Sequence, residues 1–126
     1  MGHFSSKKWV NFQQKQHAGD QVIIEIAKVI NNNIRPSDSA GRYGGEEFII
    51  ILHDIDEANA VELAERIRVD IESLKISAID NQPVSASFGV SALDSSNPYC
   101  DIIKQADEAL YAAKDSGRNR VEKYSA

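Results

Sequence analysis

The chain has 126 residues, 42% hydrophobic and 26% charged, one domain's length with enough apolar material for a real core. A net charge of −5 argues against general nucleic-acid binding, and the single cysteine, Cys100, excludes an internal disulfide. No stretch approaches the roughly 18 apolar residues of a membrane helix and no signal peptide is visible, so a cytoplasmic domain without membrane contact of its own is expected, either free or as the cytoplasmic part of a larger, membrane-bound protein.

Residues 1–35 carry five Lys/Arg against two Asp/Glu (+3), and residues 36–126 carry nine against seventeen (−8). A basic leading segment facing an acidic remainder suits a phosphate-rich small molecule, although solvated faces account for most such asymmetries. Residues 1–16 have no clean periodicity, and Trp9, Val10 and Phe12 are their only clustered apolar groups. Ala18-Gly19-Asp20 reads as a turn into a helix, with Asp20 as its cap. Val22, Ile23, Ile26, Ile30 and Ile34 recur at helical spacing, which predicts a helix from about 20 to 34, stopped by Pro36. Arg35-Pro36-Ser37-Asp38 is a polar turn.

A short strand at 39–43 then turns through Gly44-Gly45 into the apolar strand 47–52. Asp56 caps a second helix, about 57–74, whose buried stripe is Ala60, Leu63, Ala64, Ile67, Ile71 and Leu74. A short strand is possible at 76–79, and a longer one at 84–93, where Gly89 marks a bulge or a close approach. Asn97-Pro98 reads as the start of a third helix with the stripe Ile102, Ile103, Ala106, Ala109, Leu110 and Ala113. It ends near Lys114, with Gly117 as a left-handed cap, and 120–124 reads as a closing strand. The predicted class is α+β, an antiparallel-rich central sheet flanked by helices, rather than a parallel dinucleotide-binding fold.

Several chemistries can be set aside. Neither Gly-x-Gly-x-x-Gly nor a phosphate loop ending in Gly-Lys-Ser/Thr is present, and His3, His17 and His53 lack zinc-ligand spacing. Two features remain. Glu46 and Glu47 are adjacent carboxylates at the tip of a rigid turn, and their repulsion calls for a cation, a proton or a basic partner. Lys114 and Arg118 form a basic pair where the third helix gives way to a turn. Taken singly, the first is an exposed acidic turn and the second complements a helix dipole. Taken together, they match what phosphoryl transfer needs: Mg²⁺ held by one or two carboxylates and phosphate oxygens, with Lys and Arg on the outer phosphates.

Arg42-Tyr43-Gly44-Gly45-Glu46-Glu47-Phe48 resembles the GGDEF/GGEEF signature of diguanylate cyclases. Ala18-Gly19-Asp20 is similar to that family's Gly-Asp segment, and Arg35-Pro36-Ser37-Asp38 to its RxxD inhibitory motif before the glycine pair. Ser87-Phe88-Gly89-Val90 resembles its Ser-x-Gly-Val strand, and residues 106–114 with Gly117-Arg118-Asn119 its C-terminal signature. The resemblance runs from about residue 8 to the end. It implies a palm-like fold, as in nucleotidyl cyclases, and the joining of two GTP into cyclic di-GMP with release of pyrophosphate by a homodimer using Mg²⁺ or Mn²⁺. Carried over residue by residue, it makes Glu46 and Glu47 metal ligands and catalytic groups, with Glu47 also helping to deprotonate the attacking hydroxyl. Gly44 and Gly45 admit the nucleotide, Asn11 and Asp20 bond guanine, and Lys8, Lys114 and Arg118 hold the outer phosphates. Arg35 and Asp38 form the product-binding inhibitory site, and Arg66 lies where the family often places a second, inter-subunit contact to it. An upstream sensory or receiver domain in the parent chain is also implied.

The departures lie at the start. The family's opening helix is absent, and its central strand ends in Asp-x-Asp-x-Phe-Lys, a pattern that lines up here with His3, Ser5, Lys7 and Lys8. The reading is therefore a single domain over 1–126, N-terminally incomplete, its first strand missing, truncated or replaced. Losing a metal carboxylate would cost most of the catalysis. The alternative is a degenerate domain that binds cyclic di-GMP or GTP without turnover, and a purely structural or dimerisation module is the third reading.

Overall fold

Val10, Ile50 and Val90 lie on one rung across three adjacent strands, and each is at most 1% exposed. That rung is the centre of the core. In the computed structural model, which describes residues 8–14, 20–42, 47–92 and 101–125, the strands are β1 (Lys8–Gln14), β2 (Ser39–Arg42), β3 (Glu47–Leu52), β4 (Ala86–Ala92) and β5 (Val121–Lys123). The sheet order is β2-β3-β1-β4-β5, antiparallel except for the β4–β5 pair at the edge. Helices α1 (Asp20–Asn33) and α2 (Glu57–Glu72) bury Val22, Ile26 and Ile30, and Leu63, Ile67 and Ile71, in the core with Phe48, Leu52 and Phe88. Helix α3 (Ile102–Asp115) packs against β1, β4 and β5.

The pattern of β4 explains both of its faces. Ala86, Phe88 and Val90 belong to the core shared with α1 and α2. The alternate residues Ser87, Gly89 and Ser91 are small, and α3 is alanine-rich where it is buried, at Ala106, Ala109 and Ala113. Small side chains on both elements allow close approach. A Cβ built on Gly89 would sit 2.3 Å from both the Ala106 carbonyl oxygen and the Leu110 nitrogen. Of the two roles expected for Gly89, close approach is the one found. Ser91 adds a hydrogen bond from its hydroxyl to the Ile102 carbonyl, 2.8 Å.

The α+β class holds, and most elements fall where periodicity put them. Asp56 caps α2 by accepting from the Asn59 N–H, 2.8 Å. Gly117, at φ +122°, closes α3, with the Arg118 N–H bonded to the Ala113 carbonyl at 2.9 Å. Lys8–Gln14 fills the central place between β3 and β4, in keeping with a first strand that is replaced rather than missing. Its pairing satisfies backbone groups on two strands that would otherwise lack partners. Residues 76–79 do not form a strand. Ser77–Ile79 is a 3₁₀ turn, after which Asp80 and Asn81, at φ +56° and +57°, reverse the chain. Asp20 is the first residue of α1 rather than its cap.

Helix α3 begins at Ile102, capped by Asp101, whose carboxylate accepts from the Lys104 N–H at 3.0 Å. The expected start at Asn97-Pro98 lies outside the described residues. Ile103 faces away from the buried stripe at 40% exposure. Asp101→Ala is expected to cost about 1 kcal/mol, the usual loss of a helix cap, read as a lower urea midpoint with an unchanged slope.

Candidate functional site

Strand register gathers one set of residues at one end of the sheet. Glu47, half-buried, opens β3 and pairs with Gln13 near the close of β1. Gln13 pairs in turn with Ser87 at the start of β4, and the Ser87 hydroxyl accepts from the Asn119 N–H at 3.1 Å. Two strand spacings separate Glu47 from Ser87, about 10 Å, so Glu47 and the turn after α3 share one edge. Arg118 is exposed in that turn, and Lys114 is half-buried in the last turn of α3. Asp20 is exposed and opens α1, which follows β1 after residues 15–19, so it starts from this same end.

Gly44, Gly45 and Glu46 lie outside the described residues. The backbone of Asn11 is mid-strand, between Ile49 and Gly89. Lys8 is not brought to this end. It opens β1 opposite Leu52 and Ala92, five residues from Gln13, a distance of about 17 Å along the strand. The Asp-x-Asp-x-Phe-Lys alignment would end a central strand at Lys8, whereas the strand found here begins there.

A second cluster sits at the other end of the β2–β3 hairpin. Asp38 has a fully buried side chain bonded by Arg35 Nε at 3.1 Å, Arg35 Nη2 at 3.0 Å, the Arg35 backbone N–H at 3.0 Å and the His53 N–H at 3.1 Å. Burial pushes the Asp38 carboxyl up, but the Arg35 side chain and the two backbone donors outweigh it and leave it below the ordinary carboxylate range. Its hydrogen bond to Asp38 raises Arg35 further. Arg35 Nη2 also donates to the His53 carbonyl. The guanidinium is thereby fixed while 46% of the side chain stays exposed.

A polar cavity of about 450 Å³ opens beside this pair, lined by Arg35, Asp38, Asp56, Asn59, Glu62 and Arg66 among others. Arg35, Asp38 and Arg66 thus line one cavity of the same chain. Arg66 pairs with Glu62 only at 3.8 Å and at high exposure, an arrangement that holds it weakly. One fixed guanidinium, Arg35, and a loosely held one, Arg66, at a polar cavity suit a bidentate anion or a guanine edge.

A third feature escaped the sequence reading. Arg68 and Glu72 of α2 bond the side chain of Asn119, linking residues about fifty apart in the chain. Only the Glu65/Arg68/Glu72 spacing hinted at ion pairing, and nothing local pointed to Asn119. Among the described residues, no three His, Cys, Asp or Glu side chains converge to hold a metal ion, and no helix is long and apolar enough to cross a membrane.

A family model described as "Diguanylate cyclase, GGDEF domain" matches residues 8–120. Diguanylate cyclase DosC of Escherichia coli (strain K12) is 38% identical over 121 residues, covering 94% of this chain and 26% of that protein. Diguanylate cyclase A of Treponema denticola is 41% identical over 120 residues, covering 90% and 31%. The chain therefore spans between a quarter and a third of the length of these curated relatives. Among solved structures, the GGDEF domain of DgcB from Caulobacter crescentus in complex with c-di-GMP matches with a TM-score of 0.84 and 29% identity, covering 97% of this chain and 80% of that one. The active GGEEF domain of a diguanylate cyclase from Vibrio cholerae matches with a TM-score of 0.86 and 30% identity, covering 95% and 83%.

Proposed function

The chain belongs to the GGDEF domain family of diguanylate cyclases, and on that premise we propose that it condenses two GTP into cyclic di-GMP. The observation that carries the reading is the shared sheet edge, where Glu47, Gln13 and Ser87 fall in line with the turn bearing Arg118. In the proposed reaction the 3′-hydroxyl oxygen of one GTP bonds to the α-phosphorus of the other. Pyrophosphate leaves with the bond's electron pair, and the hydroxyl proton passes to a base. Two such steps, one in each direction across a homodimer, close the ring.

Glu47 is a candidate for that base. Glu46 and Glu47 would hold the divalent cation, Mg²⁺ or Mn²⁺. The donor set fits an ion that arrives with the nucleotide, since such ions take one or two carboxylates and complete their shell with phosphate and water. When bound, the ion supplies charge neutralisation at the phosphates. Lys114 and Arg118 would hold the outer phosphates, Asn11 and Asp20 the guanine, and Gly44 and Gly45 would let it approach the backbone. The strand register gives no support to Lys8 as a partner of Lys114 and Arg118.

Cyclic di-GMP is the proposed occupant of the Arg35, Asp38 and Arg66 cavity. A cytoplasmic setting and control by an upstream sensory or receiver domain belong to the same proposal.

Calorimetry with a non-hydrolysable GTP analogue and Mg²⁺ tests this, together with chromatography of the products after incubation with GTP. Binding is expected to need the metal, to weaken at least about tenfold in Glu46→Ala, a loss of about 1.4 kcal/mol, and to accompany formation of cyclic di-GMP. Equal affinity in wild type and Glu46→Ala would reject a metal-bridged site. Binding without product would make the chain a nucleotide-binding module instead.

A further inference from the structure

Arg118 and Asn119 are consecutive non-glycine residues in the left-handed region, at φ +63° and +47°, directly after Gly117 at +122°. Side chains rarely adopt that conformation, and it persists only where the surroundings over-determine it. Here the surroundings are concentrated on Asn119. Its N–H bonds the Ser87 hydroxyl at 3.1 Å, its Oδ1 accepts from Arg68 Nη1 at 3.0 Å, and its Nδ2 donates to Glu72 Oε2 at 2.6 Å.

Arg68 is itself immobilised. Its side chain is only 15% exposed, both Glu65 oxygens accept from it, and Glu72 lies 3.7 Å away. The Glu65 and Glu72 contacts follow ordinary helical spacing and would exist in an isolated helix. The bonds to Asn119 do not follow it. They reach from α2 to a different part of the chain, and they end one residue from Arg118.

We propose that Arg68 and Glu72 are positioning residues for Arg118. By clamping Asn119 they fix the left-handed turn that directs the Arg118 guanidinium toward the outer phosphates of a guanosine triphosphate. The inference rests on the reading of Arg118 as a phosphate-holding group. A planar guanidinium suits the clamp because it can bond Glu65 through one edge while Nη1 reaches Asn119. The clamp acts on the phosphates rather than on the base, because guanine is assigned to Asn11 on β1 and Asp20 on α1, whereas the clamped turn carries Arg118. Loss of the clamp should therefore be felt by a triphosphate and not by a monophosphate.

A double-mutant cycle tests it, with calorimetric affinities for a non-hydrolysable GTP analogue with Mg²⁺ and for GMP. Arg118→Ala comes first and tests the underlying reading, since an unchanged analogue affinity there would bring down the phosphate assignment and this inference with it. Given a loss in Arg118→Ala, Arg68→Gln and Glu72→Ala are each expected to weaken the analogue about fivefold and to leave GMP within about twofold. Added to Arg118→Ala, they should change the analogue affinity by less than about twofold, because they act through the group already removed. Equal weakening of both ligands, full additivity with Arg118→Ala, or no effect in either background would overturn the positioning role while leaving Arg118 in place. Glu72 has a half-exposed side chain, so its variant decides the question if Arg68→Gln does not fold.

Discussion

Gly89→Ala is expected to destabilise the domain by about 3 kcal/mol, the upper part of the range for a methyl group forced into filled space. The new Cβ would lie 2.3 Å from the Ala106 carbonyl oxygen, 2.3 Å from the Leu110 nitrogen and 2.9 Å from the Leu110 Cα. All three are backbone atoms of α3, so no side chain can rotate out of the way. The helix must lift from β4, which separates Ala106, Ala109 and Ala113 from the sheet and stretches the Ser91–Ile102 bond. A urea titration should show a lower midpoint, and thermal unfolding a fall on the order of 10 °C. Lys114 and Arg118 ride on the end of α3, so nucleotide affinity should fall as well, even under conditions where the variant remains folded. A Gly89→Ala protein within about 0.5 kcal/mol of wild type would mean that α3 does not seat on β4 as described.

Much of this arrangement was legible in the sequence because its causes are local. Helical spacing of Ile26 and Ile30, or of Leu63 and Ile67, shows which faces bury, and Gly117 announces its own turn. The RxxD spacing brought Arg35 and Asp38 together because the contact spans only three residues. What stayed hidden depends on distant partners. Lys8–Gln14 looks aperiodic, yet it is a strand because β3 and β4 both present edges to it, and pairing overrode weak local preference. Asp101, which caps α3, drew no notice in the sequence because its partner is only the N–H three residues on and no apolar pattern marks it. Residues 76–79 had strand-like apolar content but close a 3₁₀ turn instead, which the left-handed Asp80 and Asn81 follow. The clamp on Asn119 was invisible because all of β4 and α3 lie between Arg68 and Asn119 in the chain.

Asp38→Ala is expected to cost about 2–3 kcal/mol, although the residue stands beside an open polar cavity. Its carboxylate is the shared acceptor for two backbone N–H groups and a guanidinium, and all three lose their partner at once. Each buried donor left unpaired costs roughly 1–3 kcal/mol, but Arg35 is 46% exposed and can turn to water, which keeps the total at the lower end for a broken buried pair. Because the folded carboxyl titrates below its unfolded value, its contribution is fully present above the ordinary carboxylate range and is lost as pH falls through the depressed folded value. The stability gap between wild type and Asp38→Asn should therefore be flat from neutral pH down to about 5 and shrink below about 4. Arg35→Ala separates stability from binding. It should cost less stability than Asp38→Ala, since the carboxylate keeps the His53 N–H and the backbone N–H of residue 35. Yet, on the proposed occupancy of the cavity, it should weaken cyclic di-GMP at least about tenfold, because the guanidinium would be the group facing the ligand. Unchanged cyclic di-GMP affinity in Arg35→Ala would remove the product from this cavity and leave the pair as a brace for the start of the β2–β3 hairpin.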